Sequence, residues 1–183
     1  MLLAYPIARL GARLPLGAFA RATLPAQAVA ISTQSSLASM PAMIEGARDL
    51  GVEVRVAGVT LPLAVAIFRA TGPAMNLAVA IYVATWFGVT LSPATLAIGV
   101  VVATLTSLGS VSLPGTVSYV SAIAPIAGTI GAPIAPLGLL VAVETIPDIV
   151  RTVGNVTMDI ATTALLGRRG GADDRSNPPE PEA

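Results

Sequence analysis

The chain has 183 residues, of which 54% are hydrophobic and only 11% are charged, whereas soluble domains carry about 25% charged residues. Basic and acidic residues cancel, and Cys and His are absent, which removes the electrostatic case for a nucleic-acid partner and excludes disulfides, thiolate metal sites and histidine catalysis. No charged residue occurs within residues 70–143, and this stretch would hold roughly two or three membrane helices of about 20 residues each. The sequence therefore predicts an all-α integral membrane protein.

The two ends of the chain have different compositions. In residues 1–14, Arg9 and Arg13 interrupt the region where a signal peptide would have its apolar core. We therefore expect this segment to be the end of a preceding transmembrane helix and a connector. Arg168 and Arg169 close the last apolar run, and the rest of residues 168–183 is rich in Gly, Pro, Asp, Glu and Ser. Such a composition predicts a disordered tail, which the positive-inside rule places in the cytoplasm.

A transport-core region is predicted over residues 15–167, and its first part reads as a helical hairpin followed by a broken helix. In residues 15–45, two short apolar pieces flank the Ser-rich patch at residues 32–41. The charged residues 45–55 are predicted to form an aqueous loop. Residues 56–90 are again apolar, but one Arg, a Gly and a Pro interrupt them at residues 69–73. These helix breakers predict one transmembrane helix with a break in its middle.

Residues 94–131 repeat the arrangement of the first hairpin. Their central patch at residues 107–115 begins Ser-Leu-Gly-Ser and contains a Pro, echoing the Ser-Leu-Ala-Ser of residues 36–39 and the Pro that follows. Short paired apolar segments broken by Gly, Ser and Pro indicate re-entrant hairpins in transporters built from repeats. The alternative interpretation is two ordinary turns at the membrane surface.

The last apolar segment, residues 137–166, carries a polar stripe. Its members are Glu144, Asp148, Arg151, Asn155 and Asp159, spaced by 4, 3, 4 and 4 residues. On a helix these positions share one face about 80° wide. Because each ionisable group in a membrane helix costs about 2.5–3.5 kcal/mol on insertion scales, the stripe indicates a polar pathway or a binding site. Alternatively, Asp148 and Arg151 only pair with each other to hold helices together.

Residues 148–159 follow the pattern Asp-x-x-Arg-Thr-x-x-Asn-Val-x-x-Asp, and Thr60-Leu61-Pro62-Leu63 lies near the start of the broken helix predicted over residues 56–90. On these motifs the chain, from about Pro15 to Leu166, resembles the C-terminal half of the dicarboxylate/amino acid:cation symporters, the sodium:dicarboxylate and glutamate-transporter-like family. Ser35, Ser36 and Pro41 look like the tip of that family's first hairpin. The resemblance implies two re-entrant hairpins and two main transmembrane helices, one of them broken.

The resemblance also implies roles for individual residues. Arg151 would hold the distal carboxylate of the substrate, Asp148 would accept an ammonium group, and Thr152 with Asn155 would bind the other carboxylate. Asp159 would hold a sodium ion together with Asn155. The first hairpin's tip would contribute Ser35 and Ser36 to substrate binding, and the second hairpin's tip would consist of Ser107, Gly109, Ser110, Pro114 and Gly115.

The chain departs from the family's pattern at the break predicted at residues 69–73. Where relatives carry the cation-binding sequence Asn-Met-Asp-Gly-Thr, this chain has Phe68-Arg69-Ala70-Thr71-Gly72. One interpretation is that the guanidinium of Arg69 occupies the place of a bound cation and acts as a counter-ion for Asp159 or Glu144. The other is that Arg69 extends to the membrane interface.

The resemblance therefore implies a secondary active symporter that moves an acidic amino acid or dicarboxylate with Na⁺ or H⁺, without an organic cofactor. It would be a multi-pass protein of a cell membrane, such as the bacterial inner membrane, and full-length relatives are expected to be homotrimers with six further helices before the first hairpin. A truncated, non-transporting membrane remnant is the alternative, and a channel-like protein is a third. An enzyme is disfavoured because a carboxylate–arginine stripe without His or Cys is a poor nucleophilic site.

Overall fold

The computed structural model describes residues 2–109 and 116–174, with side chains described at residues 2–108 and 119–168. Within these residues the regular structure is helical throughout. The elements are α1 (Ala4–Pro6), a π-helical turn (Ile7–Gly11), α2 (Leu16–Thr33), α3 (Met40–Asp49), α4 (Val54–Ile67), α5 (Gly72–Trp86), α6 (Pro93–Gly109), α7 (Thr116–Thr129), α8 (Leu137–Leu140), a 3₁₀ turn (Val141–Val143) and α9 (Thr145–Asp174).

The first of two helix groups is built around α9. Helix α2 packs against α3 and α9, and α4 packs against the same two helices. The core between them is apolar, and its fully buried members include Phe19, Met43, Leu61 and Ile160. The N-terminal turns also pack against α9, and they bury small side chains at four-residue intervals, namely Ala4, Ala8 and Ala12.

The second group contains α5, α6 and α7, each of which packs against the other two. Its core includes Val83, Ile123, Ile126 and Leu137, all fully buried. Helix α8 packs against α7 and leads through the 3₁₀ turn into α9. The two groups are therefore joined along the chain at the α4–α5 break and at the junction of α8 with α9.

Each group contains one of the helix pairs predicted from the Ser-rich patches. Helices α2 and α3 pack together and are separated by residues 34–39. Helices α6 and α7 also pack together, and residues 110–115 between them in the sequence lie outside the described residues. The structure thus shows two packed helix pairs. Their re-entrant course through a membrane stays a prediction.

The outer surface of both groups is strongly apolar. Large hydrophobic side chains are exposed on it, including Leu10 at 80%, Leu24 at 63%, Leu105 at 62% and Ile146 at 73%. Among the described residues, one helical stretch, Val54–Trp86, is long and apolar enough to cross a bilayer, with a mean hydropathy of 1.5. It includes the α4–α5 break. Exposure of so many large apolar side chains is typical of a chain that contacts lipid or a protein partner.

The structure corrects the aqueous loop predicted over residues 45–55. Helix α3 continues to Asp49 and α4 begins at Val54, so only residues 50–53 connect the two helices. In α3 the side chains of Met43 and Ala47 are buried while Glu45 and Arg48 are exposed. The charges mark the exposed face of an amphipathic helix rather than a loop, because a helix can solvate one face while packing the other.

The last segment also differs from the single helix predicted over residues 137–166. The chain forms α8, tightens into the 3₁₀ turn and begins α9 at Thr145, with Pro147 in the first turn, where its missing N–H costs no helical hydrogen bond. Helix α9 then runs past Leu166 to Asp174, into the tail predicted to be disordered. Once a helix is anchored by packing, each further residue adds a hydrogen bond at little cost. Residues 175–183 lie outside the described part of the chain.

Helices α2 and α3 approach each other closely at Gly46. A Cβ atom there would lie 2.3 Å from the carbonyl oxygen of Ala22, so α3 crosses α2 at a point where only glycine fits. We expect Gly46→Ala to lower the stability of the protein by about 1–3 kcal/mol, because overpacking a rigid backbone contact forces the helices apart. Thermal unfolding in detergent measures this effect. Gly58→Ala in α4 is the control, since a Cβ atom at Gly58 would meet no other atom within 4 Å; equal melting temperatures for the two variants would contradict the prediction.

Candidate functional site

An ion triad on α9 and the junction before it forms the centre of the candidate site. Arg151 Nη2 donates to Glu144 Oε1 at 2.8 Å and to Asp148 Oδ1 at 2.5 Å, and Arg151 Nε donates to the same Asp148 oxygen at 3.1 Å. The three side chains are only 13%, 14% and 20% exposed for Arg151, Glu144 and Asp148. Partial burial strengthens these charge-assisted hydrogen bonds compared with an exposed pair. Hydrogen bonds therefore link the three charged residues at the N-terminal end of the polar stripe.

Helix α5 contributes a neutral partner to this triad. Arg151 Nη1 donates to Asn76 Oδ1 at 3.2 Å, and Asn76 is 4% exposed. Asn76 is not among the site residues predicted from the sequence. A usable signal was present, because it is the only Asn or Gln between Gln34 and Asn155, and an isolated amide in an apolar run needs a buried hydrogen-bond partner.

Asn155 on α9 binds the α4–α5 break through hydrogen bonds. Its Oδ1 accepts hydrogen bonds from the backbone N–H of Thr71 at 3.0 Å and from Thr71 Oγ1 at 2.9 Å. The Thr71 hydroxyl also lies 3.1 Å from the carbonyl oxygen of Arg151. Thr71 immediately precedes α5, whose first residues Gly72 and Pro73 prevent α4 from continuing. The break is therefore an anchored feature of the site, and Thr71 is a second site residue that the sequence motifs did not indicate.

The turn of the first helix pair also reaches this face of α9. The Thr152 hydroxyl lies 3.5 Å from the carbonyl oxygen of Gln34, which leaves α2 in the left-handed conformation at φ 52°. Ser35 stabilises the turn by accepting a hydrogen bond from the Ala38 N–H at 3.2 Å, and Ser36 is 9% exposed. In this turn the backbone of Gln34 contacts Thr152 of α9, while the predicted Ser35 stabilises the turn itself.

The second helix pair meets the site at the end of α6. A Cβ atom at Gly72 would lie 3.2 Å from Ser107 Oγ, so Ser107 lies directly against the break. Gly109 is the last residue of α6. The remaining residues predicted for this tip, Ser110, Pro114 and Gly115, lie outside the described residues.

Asp159 lies on the same face of α9, one turn beyond Asn155. It is 1% exposed, and within the described residues neither of its carboxylate oxygens has a hydrogen-bond partner. Its predicted role in holding sodium with Asn155 stays a prediction. The hydroxyl of Thr163, one turn further, is also buried without a partner there. The described residues contain no cluster of three or more His, Cys, Asp or Glu side chains suited to a metal, so a cation here would need neutral oxygens as well.

Arg69 adds a second guanidinium to the centre of the site. It lies in the α4–α5 break, is half-buried, and is close enough to interact electrostatically with Arg151 and Asp148. Two guanidiniums and the carboxylates of Glu144 and Asp148 make this charge cluster formally neutral.

A pocket of about 310 Å³ adjoins the ion triad beside α5 and α8. Glu144 forms part of its wall, and the other lining residues include Met75, Val79, Tyr82, Tyr119 and Leu140. The wall is almost entirely apolar. Glu144 therefore contacts both the guanidinium of Arg151 and an apolar space.

The arrangement as a whole is suited to recognising a carboxylate. A guanidinium presents its N–H groups in a planar fork that matches the two oxygens of a carboxylate. The α4–α5 break, α5 and α9 supply neutral donors and acceptors around Arg151 and its neighbours on α9, namely Thr71, Asn76, Thr152 and Asn155.

Comparison with known proteins points in the same direction. A model of the sodium:dicarboxylate symporter family matches residues 1–169, which covers nearly the whole chain and the whole of the site. A search of curated proteins found no match. Membership of a symporter family indicates a membrane transporter rather than an enzyme. The chain belongs to the sodium:dicarboxylate symporter family.

Proposed function

We propose that the chain forms the transport core of a secondary active symporter that carries an acidic amino acid or a dicarboxylate together with Na⁺ or H⁺. The observation that carries this proposal is the position of Arg151. Its partly buried guanidinium is surrounded by the carboxylates of Glu144 and Asp148 and by the side-chain amide of Asn76 on α5. The α4–α5 break contacts the backbone of the same residue through Thr71. An ionisable cluster of this kind inside a membrane protein marks a pathway for substrate or ions.

In this proposal the substrate is held by groups from several elements. Arg151 binds one substrate carboxylate through parallel N–H···O bonds, and Asp148 accepts the ammonium group of an amino acid. Thr152 and Asn155 contact the second carboxylate. Ser35 and Ser36 belong to the turn before α3, whose N-terminal backbone amides carry the positive end of the helix dipole.

The coupling ion is proposed to interact with Asp159 and to be influenced by Arg69. The buried carboxylate of Asp159 needs a proton or a cation to be neutralised, because an isolated charge in apolar surroundings is very costly. Arg69 supplies a fixed positive charge beside the substrate site, where a mobile cation would otherwise balance Asp148 and Glu144. A fixed charge cannot cross the membrane with its gradient, so we expect fewer sodium ions per substrate than in relatives that carry a carboxylate in the break.

Uptake by the protein in liposomes tests the proposal. With radiolabelled L-aspartate, L-glutamate and succinate as probes, we expect accumulation against the substrate gradient when an inward sodium or proton gradient is applied, and none when both gradients are removed by ionophores. Varying the two gradients separately identifies the ion, and the reversal potential gives the number of ions per substrate. Failure of all three probes to accumulate under either gradient would contradict the proposal.

A further inference from the structure

We propose that Glu144 is a built-in competitor of the substrate: it occupies the edge of Arg151 that a substrate carboxylate would bind, and so it limits the affinity for acidic substrates. This inference rests on the proposed role of Arg151 as the carboxylate receptor. A protein group that now accepts hydrogen bonds from Arg151 must move away before a substrate carboxylate can bind.

Other groups of the protein already accept hydrogen bonds from both edges of the Arg151 guanidinium that could each donate two hydrogen bonds to one carboxylate. A guanidinium has one such edge between Nε and Nη2 and another between Nη1 and Nη2. Asp148 Oδ1 accepts from both nitrogens of the first edge, at 3.1 and 2.5 Å. On the second edge, Glu144 Oε1 accepts from Nη2 at 2.8 Å and Asn76 Oδ1 accepts from Nη1 at 3.2 Å. A substrate carboxylate can therefore bind Arg151 at two points only by displacing one of these groups.

Glu144 is the partner best placed to leave. Asp148 contacts two nitrogens of Arg151 from the preceding turn of the same helix, whereas Glu144 contacts one nitrogen and comes from the junction just before α9. The neutral Asn76 amide shares the second edge but holds Arg151 by a longer bond to an uncharged oxygen. Displacing Glu144 and Asn76 together opens the whole Nη1–Nη2 edge.

A displaced Glu144 side chain would face an apolar pocket next to the triad. Glu144 lines the pocket of about 310 Å³, and Tyr119 contributes to the same wall. The wall is otherwise mostly apolar, so withdrawing a carboxylate into it is costly. Glu144 consequently opposes substrate binding in two ways, by occupying the donors of Arg151 and by adding a negative charge close to an anionic ligand.

The test compares the binding of succinate and L-aspartate to the detergent-solubilised protein and its variants by calorimetry. We expect Glu144→Gln to tighten succinate binding at least about tenfold, a change of about 1.4 kcal/mol. The gain should be smaller for L-aspartate, because its single net negative charge is repelled less by Glu144. The double variant Glu144→Gln with Arg151→Ala should lose the gain. Glu45→Gln removes the same charge from an exposed position on α3 and should leave both affinities unchanged.

The outcomes separate this inference from the proposed function. If Glu144 only holds Arg151 in position, Glu144→Gln and Glu144→Ala will bind succinate equally or more weakly than the wild-type protein, and the inference is wrong. A wild-type protein that transports, combined with no gain in either variant, keeps the transport function and rejects the competitor. A wild-type protein that neither binds nor transports, combined with Arg151-dependent succinate binding in Glu144→Gln, supports the competitor and rejects the transport proposal.

Discussion

Replacing Arg151 with alanine is expected to weaken the binding of acidic substrates by about 30-fold or more. Removing one partner of a buried, hydrogen-bonded charge pair costs about 2–5 kcal/mol, and each 1.4 kcal/mol changes the affinity about tenfold. The loss should be large because the variant removes the fork that recognises the carboxylate and also leaves Glu144 and Asp148 facing the ligand without the counter-charge of Arg151. Calorimetry with glutamate, aspartate and succinate measures the change.

The controls must separate lost recognition from lost folding. Two unpaired carboxylates also destabilise the helix junction, so Arg151→Ala combined with Glu144→Gln should recover part of the thermal stability without recovering binding. Arg151→Lys keeps the charge but loses the planar fork, and it should bind more weakly than the wild-type protein. Arg55→Ala removes an exposed arginine from α4 and should bind normally. Unchanged affinity of Arg151→Ala for all three ligands would refute the assignment of Arg151 as the receptor.

Local chemistry in the sequence predicts the breaks in the fold better than the extents of its helices. Gly72 and Pro73 predict a break in the apolar segment that contains them, and in the structure α4 ends at Ile67 and α5 begins at Gly72. The loop predicted over residues 45–55 is wrong except at residues 50–53, because the prediction depends on the number of charges and ignores their positions on one helical face. The 3₁₀ turn before α9 could not be predicted from the apolar run, since tertiary packing of α8 on α7 determines where the chain turns.

The site was predictable where it lies on one helix and unpredictable where it depends on contacts between helices. The spacing of Glu144, Asp148 and Arg151 places all three on one face, and the structure brings them within hydrogen-bond distance. The predicted alternative, a simple pair of Asp148 and Arg151, is present as part of this larger triad. The motifs do not indicate Thr71 and Asn76 because nothing in the local sequence states which helix they face. Their partners on α9 are 84 and 75 residues away along the chain.

The second large effect is expected at Asp159, whose carboxylate lies in markedly unfavourable surroundings. It is 1% exposed, and within the described residues neither oxygen accepts a hydrogen bond. An unpaired carboxylate in such a place is tolerated only when a proton or a cation neutralises it. The neighbouring hydroxyl of Thr163, which has no described partner, offers a neutral oxygen on the same face. We therefore expect sodium to stabilise the wild-type protein through this residue.

Asp159→Asn should remove that response to sodium. A ligand at about 100 times its dissociation constant stabilises a protein by about 2.7 kcal/mol, so the melting temperature of the wild-type protein in detergent should rise when choline chloride is replaced by sodium chloride at constant ionic strength. The Asn variant should melt at the same temperature in both salts, and in choline it should be at least as stable as the wild-type protein, because it no longer buries an ionisable group. Asp49→Asn, at the exposed end of α3, should keep the full sodium response. If Asp159→Asn retains the same sodium-dependent shift as the wild-type protein, the cation is held elsewhere and Asp159 is neutralised by a proton.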